Sequence, residues 1–174
     1  AYKGELMAYT QMDAARDGIV TREVRAAAEY EGIEPALLAS LVARGHAVIP
    51  ANAAHSSLVP RAVGRTLKTK INVNLGTSRD ECDHNAEMEK VHVAIALGAD
   101  AIMDLSSSGD TRTFRKKLVA ESPVMIGTVP AYDAVVHYAK PLREITDDEW
   151  IAVVRMHAED GVDFQTIHCG ITRE

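Results

Sequence analysis

Apolar and polar residues alternate most clearly in residues 69–78, TKINVNLGTS, and a glycine-containing turn ends this run. Alternation with a period of two is typical of a β-strand that buries one face. The polar face carries Asn72 and Asn74, and an asparagine amide is costly to bury unless a ligand or a hydrogen-bond network satisfies it. The segment therefore predicts a strand that delivers polar side chains to one end of a sheet.

From this segment onward, short apolar strands alternate with helical patterns. The predicted strands are residues 70–75, 101–105, 124–129 and 164–168. Alternating strands and helices with short links predict a parallel sheet with right-handed crossovers. Four such units are half of an eight-unit barrel, which usually needs about 250 residues. We therefore predict an α/β fold of the (β/α)8 TIM-barrel type, of which the chain covers the first four units.

Two of these strands are entered through the same tripeptide pattern. Residues 98–100 read Gly-Ala-Asp and residues 161–163 read Gly-Val-Asp. A helix-ending glycine, a small apolar residue and an aspartate recur at the same place, which predicts a repeated structural unit.

The first 68 residues have helical patterns instead. Thr21 is the expected N-cap of one helix, and Pro35 opens a second helix. A short apolar strand then leads into a polar loop with Asn52 and His55, which we interpret as a lid over a site. The predicted parts of the chain are residues 1–68, an N-terminal helical segment with the lid loop, and residues 69–174, the first half of a catalytic β/α barrel.

The ends of the predicted strands carry the candidate chemistry, because barrel enzymes place their sites at the carboxyl ends of strands. Asn74 and Met103 are 29 residues apart, as are Met103 and Tyr132, so we expect these residues in one register. Structural roles are the alternatives: a core position for Met103 or His168, and loop contacts for the asparagines. The candidate positions are Asn72, Asn74, Met103, Asp104, Thr128, Tyr132, Thr166 and His168.

Two loops offer a further possibility. Residues 76–78 and residues 106–109 each precede a helix, and their backbone N–H groups are candidates for binding a phosphate. Serine and glycine are also ordinary turn formers, and Asp110 is an ordinary helix cap, so the structural alternative remains open.

Composition narrows the classes of function. A formal net charge of −6 gives no basic stripe, so we expect no nucleic-acid partner. No apolar run approaches the roughly eighteen residues of a spanning helix, and no signal peptide opens the chain, so we expect a cytoplasmic protein without a membrane partner. The two cysteines, Cys82 and Cys169, have no partner at metal or redox spacing, so we predict no metal site within the chain.

Six segments in order closely resemble the catalytic barrel of the ThiC family, the phosphomethylpyrimidine synthases of thiamine biosynthesis. They are TQMDAARDGIVT, IPANAAH, KINVNLGTS, ADAIMDLSSSGD, IGTVPAYDA and DGVDFQTIHCGI. The resemblance implies a lyase that uses S-adenosylmethionine and a [4Fe–4S] cluster to make a 5′-deoxyadenosyl radical. That radical starts the rearrangement of the partner substrate, 5-aminoimidazole ribotide, into hydroxymethylpyrimidine phosphate.

The resemblance also implies which residues bind the substrate. Family members contact the ribotide through an asparagine of KINxNxG, a methionine of xMDLS, a tyrosine of GTVPxY and a histidine of TIHxG. The corresponding residues of this chain are Asn74, Met103, Tyr132 and His168. The family's cysteine triad for the cluster and its two histidines for a divalent metal such as zinc lie in later segments, and this chain contains neither motif. We therefore expect the isolated chain to be inactive.

Two alternatives stay open beside the thiamine reading, which we prefer. The chain is also similar to the paralogous 5-hydroxybenzimidazole synthases of anaerobic cobamide biosynthesis, and the short segment before TQMDAARDG fits both branches. The second alternative is a half-barrel without catalysis that serves as an assembly or binding module. Unpaired strand edges favour dimerisation, so we expect a homodimer.

Overall fold

The structure is a computed structural model that describes residues 9–168. The chain divides into two compact units. One comprises the chain up to Pro50 together with Pro60–Thr69, and the other comprises Ala51–Val59 together with the chain from Lys70 onward. The boundary between residues 68 and 69 stays a prediction, but the loop Ala51–Val59 groups with the second unit.

The first unit is mainly helical. Its elements are α1 (Gln11–Arg16), α2 (Arg22–Glu31), α3 (Pro35–Ala43) and the antiparallel pair β1 (Ala47–Val48) and β2 (Val63–Gly64). Thr21 caps α2, and Pro35 opens α3, as predicted. Helix α1 was not predicted, although its signal is present: the side chain of Thr10 accepts the N–H of Asp13, and Asp13 accepts the N–H of Thr10.

The second unit is a parallel sheet with helices. Its strands are β3 (Asn72–Leu75), β4 (Ala101–Asp104), β5 (Met125–Thr128) and β6 (Phe164–Gln165), and they pair in that order. Its helices are α4 (His84–Ala96), α5 (Thr111–Glu121), α6 (Pro130–Tyr138), a short 3-10 turn (Leu142–Glu144) and α7 (Asp147–Glu159). The predicted α/β class with a parallel sheet is confirmed, and the strands do not close into a barrel within the described residues.

One face of this sheet packs on helices. Ile102 and Ile126 of the central strands are fully buried against Val91 of α4 and against Phe114 and Leu118 of α5. Fully burying each such side chain stabilises the fold by about 1.5–3 kcal/mol. These contacts make this face of the sheet the buried inner layer of the unit.

The repeated tripeptides have the same role at the amino ends of the strands. The carboxylate of Asp100 accepts a hydrogen bond of 2.9 Å from the backbone N–H of Ile71, the residue just before the neighbouring strand β3. The carboxylate of Asp163 accepts the backbone N–H of Ile126 in the same way, with a distance of 2.8 Å. In both copies of the repeated tripeptide, the aspartate therefore hydrogen-bonds the backbone of the neighbouring strand segment.

The polar loop 51–59 is held at these amino ends. The backbone N–H of Asn52 donates to Asp163 Oδ1 at 2.9 Å, and His55 Nδ1 lies 2.7 Å from Asp163 Oδ2. His55 Nε2 lies 2.9 Å from the carbonyl oxygen of Ser122, just before β5. Burial lowers the pKa of His55, but the hydrogen bond and the charge of Asp163 raise it above its usual value. A lid role of Asn52 and His55 over the carboxyl ends is therefore wrong.

None of the helices within residues 9–168 is both long enough and apolar enough to cross a membrane.

Candidate functional site

The sheet face opposite the helices carries three of the candidate residues, Asn72, Asn74 and Met103. Asn74 and Met103 are paired directly in the register of β3 and β4. Their side chains therefore point to the same face, since neighbours in register share a face. Asn72 lies two residues earlier on that face and donates from Nδ2 to Asn74 Oδ1 at 2.8 Å. This bond fixes which way the Asn74 amide is turned.

Two further contacts involve the residues that follow β6, at the edge of the sheet away from β3. The Oγ1 of Thr166, just after β6, lies 4.0 Å from the sulfur of Met103. The rings of Tyr132 and His168 have centroids 6.1 Å apart and are tilted by 37°. Strands are spaced by about 4.8 Å, so the strip from β3 to β6 is roughly 14 Å wide. These contacts place Met103 beside Thr166, and Tyr132 beside His168, near the carboxyl ends of the strands.

The register predicted from the 29-residue spacing is correct between β3 and β4 and wrong between β4 and β5. Met103 pairs with Gly127 and not with Tyr132, which lies in the first turn of α6. The reason is that Pro130 starts α6 directly after β5, so Tyr132 lies on a helix and not on a strand. Gly127 in turn pairs with Phe164, whose ring lies 2.3 Å from the position of a Cβ atom on Gly127.

The last strand is also shorter than predicted. β6 ends at Gln165, so His168 lies in the segment that follows the strand. His168 is exposed and does not point into the layer between sheet and helices. The backbone N–H of Thr166 still donates to the carbonyl oxygen of Thr128 at 2.9 Å. This bond keeps the segment that leads to His168 beside the end of β5.

Two of the predicted strand-end positions face the helices instead. Asp104 and Thr128 are 5% and 1% exposed, respectively. Burial raises the pKa of Asp104, and the hydrogen bond that its carboxylate accepts from Ser106 opposes this effect. Because side chains alternate along a strand, these residues lie on the opposite face from Met103 and cannot contact a ligand there.

The two loops proposed for phosphate binding are bonded to each other and to their own helices. Gly76 has a φ of 142°, and a Cβ atom there would lie 2.5 Å from the backbone nitrogen of Ser106. Such close loops leave few free donors, and the structural alternative is the one observed. The N–H groups that already donate within the protein are those of Gly76, Thr77, Ser78, Ser106 and Ser107. Asp110 caps α5, as its structural alternative predicted.

Sequence reasoning missed a buried polar network behind the sheet. The carboxylate of Asp133 accepts hydrogen bonds from Thr111, from Arg115 at 3.0 Å and from His157 at 2.8 Å. Burial raises the pKa of Asp133, but the bonds from His157 and Thr111 and the charge of Arg115 lower it well below its usual value. The sequence contains one signal of this network. Arg115 follows Thr111 by four positions on α5, so the two residues lie on the same face of the helix.

The described residues do not fit an iron–sulfur cluster or a metal ion. Within residues 9–168 no group of three or more histidine, cysteine, aspartate or glutamate side chains is placed to hold a metal. A [4Fe–4S] cluster needs grouped thiolates. Cys82 is free and exposed, and Cys169 lies outside the described residues.

A parallel α/β sheet with polar side chains at its carboxyl ends is the arrangement of an enzyme that acts on a small molecule. Residues 10–174 match the radical SAM ThiC family, and the chain belongs to that family. Membership of a radical SAM family implies S-adenosylmethionine and an iron–sulfur cluster.

Curated relatives support this assignment. The chain is 56% identical over 165 residues to the phosphomethylpyrimidine synthase of Pelotomaculum thermopropionicum. It is 58% identical to that of Clostridium novyi and 56% identical to that of Clostridium kluyveri. Each match covers 95% of this chain but 38% of the relative, so the chain spans well under half the length of these proteins.

Proposed function

We propose that the chain is the substrate-binding part of a phosphomethylpyrimidine synthase, a radical SAM lyase that rearranges 5-aminoimidazole ribotide into hydroxymethylpyrimidine phosphate for thiamine biosynthesis. The observation that carries the proposal is the identity of 55–58% to curated relatives with that name. The four residues that the resemblance selects are all among the strand-end positions. The contacts of Met103 with Thr166 and of Tyr132 with His168 support a common site for them.

We further propose that the sheet is the first half of a (β/α)8 barrel. Its four strands are parallel and pair in sequence order, which is how a barrel is built. The face opposite the helices carries Ala101 and Met125 near the amino ends, and Leu58 of the loop 51–59 packs on both. A barrel interior is filled in this way below its site, while the carboxyl ends stay open for a ligand.

The chemistry of each side chain suggests its role. Asn74 hydrogen-bonds the imidazole or its amine, because an amide offers both donors and an acceptor. Tyr132 donates to a ribose or phosphate oxygen, and His168 contacts a polar group near the atom from which hydrogen is abstracted. Met103 forms an apolar wall that keeps water away. The protein's part is positioning and exclusion, because cofactors carry the difficult chemistry.

The cofactors supply the radical when they are bound to the complete enzyme. The cluster's cysteines and the histidines for a metal such as zinc belong to segments beyond the described residues. We therefore expect the isolated chain to bind ribotide without turning it over. Anaerobic iron and sulfide analysis of the isolated chain tests this expectation, since a cluster bound by this chain would contradict it.

Ribotide titration by isothermal calorimetry tests the site. Replacing Tyr132→Phe removes one hydroxyl and should weaken ribotide binding about tenfold, the cost of one hydrogen bond. The matched control is Tyr138→Phe at the other end of α6, where the hydroxyl donates to the carbonyl oxygen of Glu149. The control should bind ribotide as the unaltered protein does. Equal binding by both variants would remove Tyr132 from the site.

Product analysis of the complete enzyme separates the two branches of the family. Hydroxymethylpyrimidine phosphate and 5-hydroxybenzimidazole differ in ring system, so chromatography with mass detection distinguishes them. Formation of the benzimidazole would overturn the thiamine assignment while leaving the ribotide site in place. The homodimer stays a prediction, which analytical ultracentrifugation of the complete enzyme tests.

A further inference from the structure

The two segments that carry the rings of Tyr132 and His168 are connected by hydrogen bonds through Thr128 and His157. Tyr132 lies in the first turn of α6, and His168 lies in the segment after β6. Thr128, the last residue of β5, is bonded directly to the segment after β6 and, through His157, to the first turn of α6. Its carbonyl oxygen accepts the N–H of Thr166, two residues before His168, at 2.9 Å. Its Oγ1 lies 2.8 Å from Nδ1 of His157 on α7.

The second nitrogen of this histidine reaches the first turn of α6. His157 Nε2 lies 2.8 Å from Oδ2 of Asp133, the residue next to Tyr132. Thr128, Asp133 and His157 are 1%, 3% and 1% exposed, so water does not compete for these bonds. An imidazole that donates from Nε2 to the carboxylate accepts the threonine hydroxyl at Nδ1, and both ring nitrogens are then satisfied.

We propose that His157 is a positioning residue for the ligand site. It ties the first turn of α6 to the end of β5, and it thereby sets the separation of the Tyr132 and His168 rings. His157 itself lies behind the sheet, so it acts through Tyr132 and not on a ligand. The effect on ring geometry is independent of any ligand, whereas the effect on binding rests on the proposed function.

The ring geometry is tested first, without ligand, by NMR of the complete enzyme with labelled histidine rings. The Tyr132 ring shifts the ring-proton signals of His168, and Tyr132→Leu identifies this contribution. His157→Gln should move the His168 signals at least halfway toward their Tyr132→Leu positions. Met156→Leu, a volume-conserving change beside His157, should leave them in place. If His157→Gln leaves the signals unmoved, or if Tyr132→Leu does not move them, the proposal is wrong.

A second pair of variants keeps the test decisive if His157→Gln does not fold. Thr128→Val keeps the shape of the side chain and removes the hydroxyl, whereas Thr128→Ser keeps the hydroxyl. Thr128→Val should move the His168 signals as His157→Gln does, and Thr128→Ser should retain the original positions. A merely structural role predicts the same signal positions for both threonine variants, which would overturn the proposal.

Ribotide calorimetry then tests the consequence for binding. His157→Gln should weaken binding about tenfold in the presence of Tyr132, and less than about twofold in a Tyr132→Leu background. The same weakening in both backgrounds would show that His157 does not act through Tyr132. If the unaltered enzyme binds no ribotide, the proposed function fails, and the NMR result still decides the positioning role.

Discussion

Replacing Arg115 is the strongest test of how the buried ion pairs stabilise the helical layer. Its guanidinium lies 3.0 Å from Asp133 Oδ2 and 2.9 Å from Asp160 Oδ2, and its side chain is 1% exposed. Replacing Arg115→Met keeps much of the volume but removes the charge between two buried carboxylates. Breaking a buried pair by removing one partner costs about 3–5 kcal/mol, because the remaining charges stay buried without it.

The structure favours the lower end of that range. Asp133 keeps its bond from His157, and Asp160 keeps its bidentate contact with Arg112 at 3.0–3.2 Å. We therefore expect a loss of about 3 kcal/mol in the free energy of unfolding. With a typical urea dependence of about 2 kcal/mol per molar, the unfolding midpoint should fall by about 1.5 M.

Urea unfolding followed by circular dichroism at 222 nm measures this loss. The matched control is Lys116→Met on the same helix, where the amine lies 3.6 Å from Asp160 Oδ1 but the side chain is 56% exposed. Exposed pairs contribute at most about 1 kcal/mol, so the control should stay close to the unaltered chain. A loss for Arg115→Met no larger than for the control would refute the reasoning.

Three further predictions use the same unfolding measurement. The pKa of Asp133 is depressed in the folded state, so its contribution to stability is present above about pH 4 and is lost as pH falls. The Asp133→Asn variant should therefore be less stable than the unaltered chain at neutral pH. Its free energy of unfolding should also fall less steeply on acidification. Burial lowers the pKa of His55, but the hydrogen bond and the charge of Asp163 raise it above its usual value. Its contribution is therefore present below about pH 6.5 and is lost as pH rises through the folded-state value. His55→Gln should flatten the profile above about pH 6.5, and an unchanged slope would contradict this. Gly127→Ala places a methyl group against the Phe164 ring and should cost about 1–3 kcal/mol, which a second change, Phe164→Leu, should partly restore.

Local signals in the sequence predicted most of the second unit. Thr146 and Glu149 form a capping box at the start of α7, the S/T-x-x-E pattern that marks a helix start in a sequence, and each side chain bonds the backbone N–H of the other. Capping and helical spacing depend on residues within a few positions of each other, so the sequence contains the whole interaction. The pairing of Asn74 with Met103 followed instead from the constant spacing of the repeated units.

Features that depend on distant residues were not predictable. Asn52 and His55 belong to a polar loop, and polarity does not say at which end of a sheet a loop lies; that is decided by Asp163, more than 100 positions later. In the sequence, His157 lies on the apolar face of a helix, and nothing near it indicates a hydrogen-bond partner. Its partners in the structure come from β5 and α6. No periodicity of one element encodes such contacts.

The two faces of the sheet divide stability from recognition. Behind the sheet, Asp133, Arg115 and Asp160 are nearly inaccessible and bonded to one another, so changes there should act mainly on folding. On the open face, Asn74 and Tyr132 are exposed, and little buried surface depends on them. Asp133 and Tyr132 are neighbours in one helical turn, so the network that stabilises the layer also fixes the direction of an open-face side chain. The recognition site that we propose at the carboxyl ends is therefore supported by charges that no ligand reaches.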